Sequence, residues 1–163
     1  MRWTWSTIGA VIAIAAAALV GAVVLGQAVA KNDEPSSRAK YQESVVVVRD
    51  RIDFALARIG KSQSPEELVS RIDEASVTVG AGGEELADID APTELTKQND
   101  KLVRTLQAFS DELAGTADTL RDPTFEPALH GLNSLSFKQW VVLNRVLGEL
   151  QSAGVQVKVL ARH

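Results

Sequence analysis

The chain has 163 residues, no cysteine, two histidines and a formal net charge of −4. A chain of this length can bury a real hydrophobic core, but without cysteine no disulfide stabilises it and no lipid is attached through a thiol. The acidic balance argues against a nucleic-acid partner, because phosphate backbones are bound by clustered lysine and arginine.

The most informative segment is residues 8–30, which contain no charged side chain. As a helix this segment would be ~34 Å long, and the hydrocarbon core of a bilayer is about 30 Å thick. We therefore expect residues 8–30 to contact the lipid bilayer as a single-pass transmembrane helix. The alternative is a cleaved signal peptide, because an Ala-x-Ala pattern ends at Ala30, directly before a polar stretch.

The residues before this segment predict its orientation. Arg2 is the only charged side chain within residues 1–30, and positive charge favours the cytoplasmic side. Trp3 and Trp5 have the amphipathic rings that prefer the headgroup layer, so we interpret all three residues as membrane-interface anchors. The remainder would lie outside the cytoplasm, held at the cell membrane, or secreted or periplasmic if the chain is cleaved after Ala30.

Small residues recur at every fourth position within the apolar segment. They are Gly9, Ala13, Ala17 and Gly21. On a helix they share one face, where small side chains let a second membrane helix approach closely. Such a row also arises by chance in an alanine-rich helix. If the row is functional, it predicts contact with another membrane protein or with a second copy of the chain.

The first helix of the soluble part is predicted over residues 37–59. A short polar linker, residues 31–35, precedes it, and Ser36 or Ser37 can cap it. Apolar residues recur every three or four positions, which is the pattern of a helix that buries one face. The four successive valines that end at Val48 would suit a strand, but the longer helical period outweighs them.

The second helix is predicted over residues 65–88. Ser64 as N-cap and Glu67 at the third helical position form a capping box, with proline between them at the first position. The apolar pattern continues without a slip through the glycine-rich run of residues 80–83. We therefore expect one continuous helix, with a close approach of a neighbouring side chain at the glycines. A break, a hinge or the thin wall of a small pocket is the alternative.

The third helix is predicted to begin with Pro92 as its first residue and to end near Arg121. Its apolar positions alternate in steps of four and three, as in coiled-coil-like packing. Asn99 is the polar residue on this stripe. A single asparagine there often determines helix register, and a ligand-contacting amide is the alternative.

The fourth helix is predicted to begin after Ser136, with Gln139 completing a second capping box and Trp140 packing as part of a hydrophobic staple. Gly154 is expected to end it in a Schellman motif. Apolar and polar residues then alternate in the C-terminal tail, residues 155–163, which we expect to lie extended against the bundle. The predicted fold class is all-α: an N-terminal transmembrane or signal helix, followed over residues 36–154 by an antiparallel bundle of three to four helices.

The inventory of catalytic groups is small. His130 has no nucleophile motif around it, and no Glu-x-x-His pattern for a metal occurs. The acidic residues between Glu84 and Asp90 lack EF-hand spacing, and residues 80–83 lack the lysine of a phosphate loop. The sequence therefore predicts a protein that is not an enzyme and uses no cofactor or metal.

Two functions fit these features. The first is a non-enzymatic, membrane-anchored envelope protein that serves as an accessory or interaction subunit of a membrane protein complex. The alternative is an extracytoplasmic bundle of the sensor type that binds a small ligand. A sensor with so few residues before its membrane segment would need a partner to pass a signal inward.

Overall fold

The computed structural model describes residues 36–122 and 136–161. These ranges contain four α-helices: α1 (Ser37–Ile59), α2 (Pro65–Ala87), α3 (Thr96–Arg121) and α4 (Lys138–Ser152). One turn of 3-10 helix, Thr93–Leu95, precedes α3. The predicted all-helical class and the number of helices are confirmed for this part of the chain.

Consecutive helices pack side by side and run in opposite directions. Arg51 pairs with Glu85, whereas Arg58, later in α1, pairs with Glu74, earlier in α2. We call these contacts the two α1–α2 ion pairs. The same reversal relates α2 to α3 and α3 to α4, in the contacts Asp73–Arg121, Ser76–Ser110, Asn99–Leu86, Glu112–Lys138 and Lys101–Glu149.

The predicted apolar stripes form the core. Each helix buries residues at steps of three and four, because only one face of a helix turns toward its neighbours. The largest fully buried side chains are Tyr41, Phe109, Ile72, Leu86, Leu95, Leu102, Leu106, Leu113, Leu143, Leu150, Val45 and Val48.

Serine residues cap the N-termini of the first two helices, as predicted. Ser36 Oγ accepts a hydrogen bond from Ala39 N at 3.3 Å, and Ser64 Oγ accepts one from Glu67 N at 3.1 Å. Glu67 Oε2 in turn accepts from the backbone N–H of Gln63 at 2.7 Å. The reciprocal bond thus reaches one residue further back than in the usual capping box, where the cap residue itself donates.

Helix α2 continues without a break through its glycine-rich run, and the glycines mark close approaches to both neighbouring helices. A Cβ added to Gly82 would lie 2.7 Å from Val48 Cγ1 in α1, and one added to Gly83 would lie 3.3 Å from Leu106 Cβ in α3. The lack of a side chain at Gly82 and Gly83 thus lets α1 and α3 both pack closely against the same turn of α2. The interpretation of a bulky neighbour against the backbone is confirmed.

The start of α3 differs from the prediction. Pro92 does not open the α-helix but precedes the 3-10 turn, where its carbonyl accepts from Leu95 N at 2.7 Å. The α-helix begins only at Thr96. The tighter turn buries Leu95 against the core, so tertiary packing displaced the start of the helix by a few residues.

The predicted cap of α4 is wrong. The helix begins at Lys138, after Phe137, and Ser136 makes no capping bond. Glu112 of α3 takes its place: Oε1 accepts from Lys138 N at 2.9 Å and Oε2 accepts from Gln139 N at 2.8 Å. A carboxylate at a helix N-terminus also interacts favourably with the helix dipole.

Removing the Glu112 carboxylate is therefore expected to destabilise the bundle. Glu112→Ala should lower the free energy of unfolding by about 1 to 2 kcal/mol, the cost typical of losing a helix cap. Ser136→Ala, which removes the predicted local cap, should change it by less than about 0.5 kcal/mol. Denaturant titration of both variants checks this, and a larger loss for Ser136→Ala would contradict the tertiary cap.

The end of α4 is a Schellman motif, as predicted. Gly154 has a φ of +86°, its N–H donates to Gln151 O at 2.9 Å, and Val155 N donates to Leu150 O at 2.9 Å. Val155 and Leu150 are both buried, which supplies the apolar contact of that motif. The chain is thereby turned back along the bundle.

The tail that follows, residues 155–161, completes the core. Val155, Val157 and Leu160 are 2–3% exposed. Side chains of α1 and α4 form hydrogen bonds with the backbone of the tail. From α1, Arg49 donates to Lys158 O and Val159 O, Asp53 accepts from Ala161 N, and Gln42 accepts from Gln156 N. From α4, Asn144 accepts from Leu160 N and Gln151 donates to Val157 O. The tail lies against both helices, as expected, in an irregular conformation.

Candidate interaction surface

The residues singled out in the N-terminal segment lie outside the described ranges. These are Gly9, Ala13, Ala17 and Gly21 of the small-residue face, and Arg2, Trp3 and Trp5 of the membrane interface. His130 lies outside them as well. Across residues 36–122 and 136–161, none of the helices combines the length and hydropathy needed to cross a membrane.

Two polar or aromatic candidates on the helices pack as structural residues. Asn99 is 6% exposed, and its side-chain amide donates to Leu86 O at 3.0 Å, which ties α3 to the last turn of α2. That carbonyl is one of those that a helix end leaves unpaired, so the bond determines how the two helices align. Trp140 is partly buried against the core.

A small apolar cavity lies among the described residues. Its volume is about 10 Å³, and it is lined by side chains of all four helices and by Leu160 of the tail. Its volume is about that of one water molecule by this measure, and its lining contributes no polar surface to hold one. No group of three or more histidine, aspartate or glutamate residues in the described part is arranged to hold a metal ion.

A larger feature opens on the surface between α1 and α2. This α1–α2 cleft has a volume of about 680 Å³. It is lined by Arg51, Phe54, Ala55, Arg58, Ser70, Arg71, Asp73, Glu74, Val77 and Thr78. An apolar strip bordered by charged side chains is typical of protein interaction surfaces.

Two large apolar side chains in the cleft face solvent. Phe54 is 68% exposed and Val77 is 72% exposed. Both lie between the two α1–α2 ion pairs, Phe54 along α1 and Val77 along α2, so they stand at the same height on neighbouring helices. Full burial of a phenylalanine side chain contributes about 1.5 to 3 kcal/mol of hydrophobic free energy, most of which Phe54 does not gain in this bundle. A partner that covers the cleft would recover it.

The α1 side of this surface has an excess of basic residues. Lys40, Arg51 and Arg58 share one face of the helix with Val47 and Phe54, at steps of three, four or seven residues, and the acidic Glu43 and Asp50 lie at the edge of that face. Val47 is 46% exposed and extends the apolar strip by two turns.

The α2 side is acidic. Asp73, Glu74, Glu84 and Asp88 surround Val77 on the outward face of that helix. Of these, Glu84 and Asp88 have no ion-pair partner among the residues that the structure describes. The two walls of the cleft thus carry opposite charge.

Arg71, one of the three arginines that line the cleft, has its guanidinium bound by other residues of the bundle. Arg71 pairs with Glu67 of its own helix and donates to Arg58 O of α1 at 2.5 Å. Arg71 thereby links α1 and α2 at one end of the cleft. Its charge is paired with Glu67, so it does not alter the difference in charge between the outward faces of the two helices.

Sequence reasoning did not single out Phe54 or Val77. Each lies on the side of its helix opposite the apolar stripe, which is a signal that the sequence contains. Isolated exposed apolar residues are common on helices and need no function. What distinguishes these two is that they stand side by side, and only the packing of α1 on α2 determines that.

Among the residues that the structure describes, the buried Tyr41 has the most strongly shifted pKa. Tyr41 is fully buried, and its hydroxyl has no hydrogen-bond partner among the described residues. Burial raises its pKa from 10.0 to about 12, because the charged phenolate would lose its hydration. The hydroxyl is remote in chain position from the cleft, so we interpret it as a packing feature of the core.

Tyr41 predicts a stability change at alkaline pH. The folded state holds the phenolic proton more tightly than the unfolded chain, so the stability due to this group is complete below pH 10 and is lost as the pH rises toward 12. A shift of two pKa units corresponds to about 3 kcal/mol.

Tyr41→Phe should remove that alkaline loss. The effect of Tyr41 is the difference between the two proteins, because all their other residues are identical. At neutral pH the same change should raise the free energy of unfolding by about 1 kcal/mol, because an unpaired buried hydroxyl is costly. Urea titrations at a series of pH values measure both effects. Destabilisation at neutral pH would instead indicate that the hydroxyl has a bonding partner.

Comparisons of the chain with protein-family models, with curated proteins and with solved structures found no match.

Proposed function

We propose that this protein is a non-enzymatic, membrane-anchored envelope protein whose helical bundle serves as an accessory or interaction subunit of a membrane protein complex. The α1–α2 cleft is the observation that carries the proposal. Exposed Phe54 and Val77 stand together there, between a basic and an acidic helix face. Such a surface offers an apolar centre and a charged rim, which is the arrangement that protein partners bind.

The uncharged segment of residues 8–30 supports the membrane part of the proposal. Its length matches the hydrocarbon thickness of a bilayer, and the charge preceding it favours a cytoplasmic N-terminus. The bundle would then face the extracytoplasmic side.

The sensor alternative receives less support. A small ligand needs a cavity of some hundreds of cubic ångströms, and the apolar cavity among the described residues that Val45, Leu102 and Leu143 help to line has only about 10 Å³. The open α1–α2 cleft is large enough, but it is wide and bordered by charge. Its shape suits the side chains of a protein better than an enclosed small molecule.

Extraction of the C-terminally tagged full chain from its native membrane in mild detergent tests the proposal. Mass spectrometry of the purified sample gives both the intact mass and the co-purifying proteins. We expect the full-length mass and a stoichiometric membrane protein, or a second copy of the chain. A lone soluble protein that lacks residues 1–30 would overturn the anchored-subunit proposal.

The small-residue face of the apolar segment has its own test. Replacing Gly9, Ala13, Ala17 and Gly21 with leucine should weaken assembly, because bulky side chains keep a second membrane helix at a distance. A matched variant carries leucine at Ala15 and Ala22, which the helical spacing predicts on the opposite face. Equal co-purification of both variants would count against this face.

A further inference from the structure

We propose that the occupant of the α1–α2 cleft is a second copy of this chain. The two copies would form an isologous dimer whose two-fold axis runs parallel to the helices. This inference rests on the proposed function, because it assumes that both copies enter the same membrane. It deepens that proposal by naming the partner and the way in which it docks.

The charges of the two helices support this choice of partner. The α1 side of the surface carries Lys40, Arg51 and Arg58, with the carboxylates of Glu43 and Asp50 at its edge, and is positive on balance. The α2 side carries Glu74, Glu84 and Asp88 and is negative. A surface whose two halves have opposite charge is complementary to itself after a half-turn. In an isologous interface the same patch is used by both copies, so self-complementarity is the property that such a dimer requires.

Charge also selects the axis. If the axis runs along the helices, α1 of one copy lies opposite α2 of the other, and basic side chains meet acidic ones. If the axis runs across the helices, α1 lies opposite α1 and α2 opposite α2, and like charges face each other. Like charges in apposition across an interface oppose association, so the first arrangement is favoured.

The apolar centre fits the same axis. Rotation about a line parallel to the helices keeps every residue at its own height. Phe54 and Val77 line the same cleft and lie at similar height on the two helices, between the two α1–α2 ion pairs. Phe54 of each copy therefore meets Val77 of the other. Two symmetric apolar contacts then bury side chains that are 68% and 72% exposed in one copy.

The ion pairs already present do not prevent this docking. In the Arg58–Glu74 pair, the two side chains are 45% and 50% exposed, and the groups are 2.7 Å apart. Exposed pairs of this kind contribute little to stability. Each carboxylate retains free lone pairs, and each guanidinium retains free N–H groups, for a second partner across the interface.

The axis also agrees with a shared membrane. A rotation about a line parallel to the helices leaves the N-termini of α1 on the same side in both copies. An axis across the helices would instead place the two N-termini of α1 at opposite ends of the dimer.

Cysteine cross-linking of the full chain in membranes tests the contact. Because the chain has no cysteine, Phe54→Cys and Val77→Cys each introduce a single thiol. Two differently tagged copies, one with each substitution, are co-expressed and oxidised. We expect the mixed pair to cross-link at least about tenfold more than either variant by itself, because only the mixed pair places two thiols in apposition at high effective concentration.

Val141→Cys is the matched control, since Val141 is also exposed, at 52%, but lies on α4. Its cross-linking measures random collisions in the membrane. If Phe54→Cys by itself cross-links as strongly as the mixed pair, α1 faces α1 and the proposed axis is wrong. If the mixed pair stays at the Val141→Cys level, the second copy does not occupy the cleft.

Charge reversal gives an independent test that separates contacts within a copy from contacts between copies. Arg58→Glu and Glu74→Arg each break the pair within their own copy, and each should reduce self-association. Mixing the two variants cannot repair the pair within a copy, but it restores opposite charge across the interface on both sides. Recovery of dimer in the mixture supports the proposal, and its absence contradicts it.

The same samples separate the two proposals. Resistance of the protein to extraction by alkaline carbonate reports the anchor, and the cross-link reports the dimer. A membrane-bound protein without the cross-link leaves the anchored-subunit proposal standing and overturns the dimer. A chain released from the membrane contradicts the anchor, on which the dimer depends.

Discussion

Replacing Gly82 with leucine is expected to destabilise the bundle strongly. Even the first added carbon would lie 2.7 Å from Val48 Cγ1, and Ile52 Cδ1 lies 3.7 Å from the same point. α1 would have to move away from α2. Overpacking of this kind costs about 3 kcal/mol at the upper end of its usual range, which is a large part of the stability of a small domain. Thermal and urea unfolding measure the loss.

Gly115→Leu is the matched control for that prediction. Gly115 lies on the exposed face of α3, and nothing surrounds the position that a Cβ would take. The same substitution should there raise the free energy of unfolding by up to about 1 kcal/mol, because glycine is a poor helix former. Opposite signs for the two variants are expected. If Gly82→Leu were also stabilising, the close approach of α1 to α2 would be refuted.

Shortening Leu160 to alanine is the second change with a large expected effect. Leu160 is 3% exposed and lines the small apolar cavity together with side chains of all four helices. The substitution removes buried methyl groups and enlarges that cavity. Leucine-to-alanine changes in a core cost about 2 to 5 kcal/mol. We expect a loss near the lower end, because the tail is close to a chain end and can adjust.

Val159→Ala provides the neighbouring control. Val159 is 44% exposed, and its backbone carbonyl, which accepts from Arg49 at 2.6 Å, is unaffected by the change. A change of less than about 0.5 kcal/mol is expected. Equal effects at the two positions would show that the tail does not pack as described. Together the two variants test whether residues 155–161 belong to the folding unit.

Helix α2 illustrates what sequence patterns predicted well. The capping serine Ser64, the apolar period and the uninterrupted register through Gly82 all depend on residues within a few positions of each other. Helix formation is governed by such short-range terms. The same reasoning placed Asn99 on the buried stripe of α3 and Gly154 at the end of α4.

The start of α4 illustrates where that reasoning fails. Ser136 had the expected spacing to Gln139, yet the N-terminal amides of the helix bond to Glu112, which is 26 residues before Lys138. A carboxylate accepts stronger hydrogen bonds than a hydroxyl does. Nothing near Ser136 in sequence indicates that a carboxylate of another helix will lie within reach.

The sequence contains the separate residues of the candidate interaction surface but does not indicate that they lie together. The charges of α1 and α2 and the off-stripe positions of Phe54 and Val77 are all present in the sequence. Their meaning depends on which helices are neighbours and at what height. Those relations follow from contacts such as Val48 against Gly82, which join residues distant in the chain.

The sequence by itself thus determined the helices, their buried faces and their order, because hydrogen bonding and hydrophobic periodicity act over one or two turns. Only the tertiary structure decided that Glu112 caps α4, that the tail closes the core and that Phe54 stands beside Val77. Each of these depends on side chains brought together from separate helices. Such contacts form when the whole apolar surface is buried at once, and no local pattern specifies them.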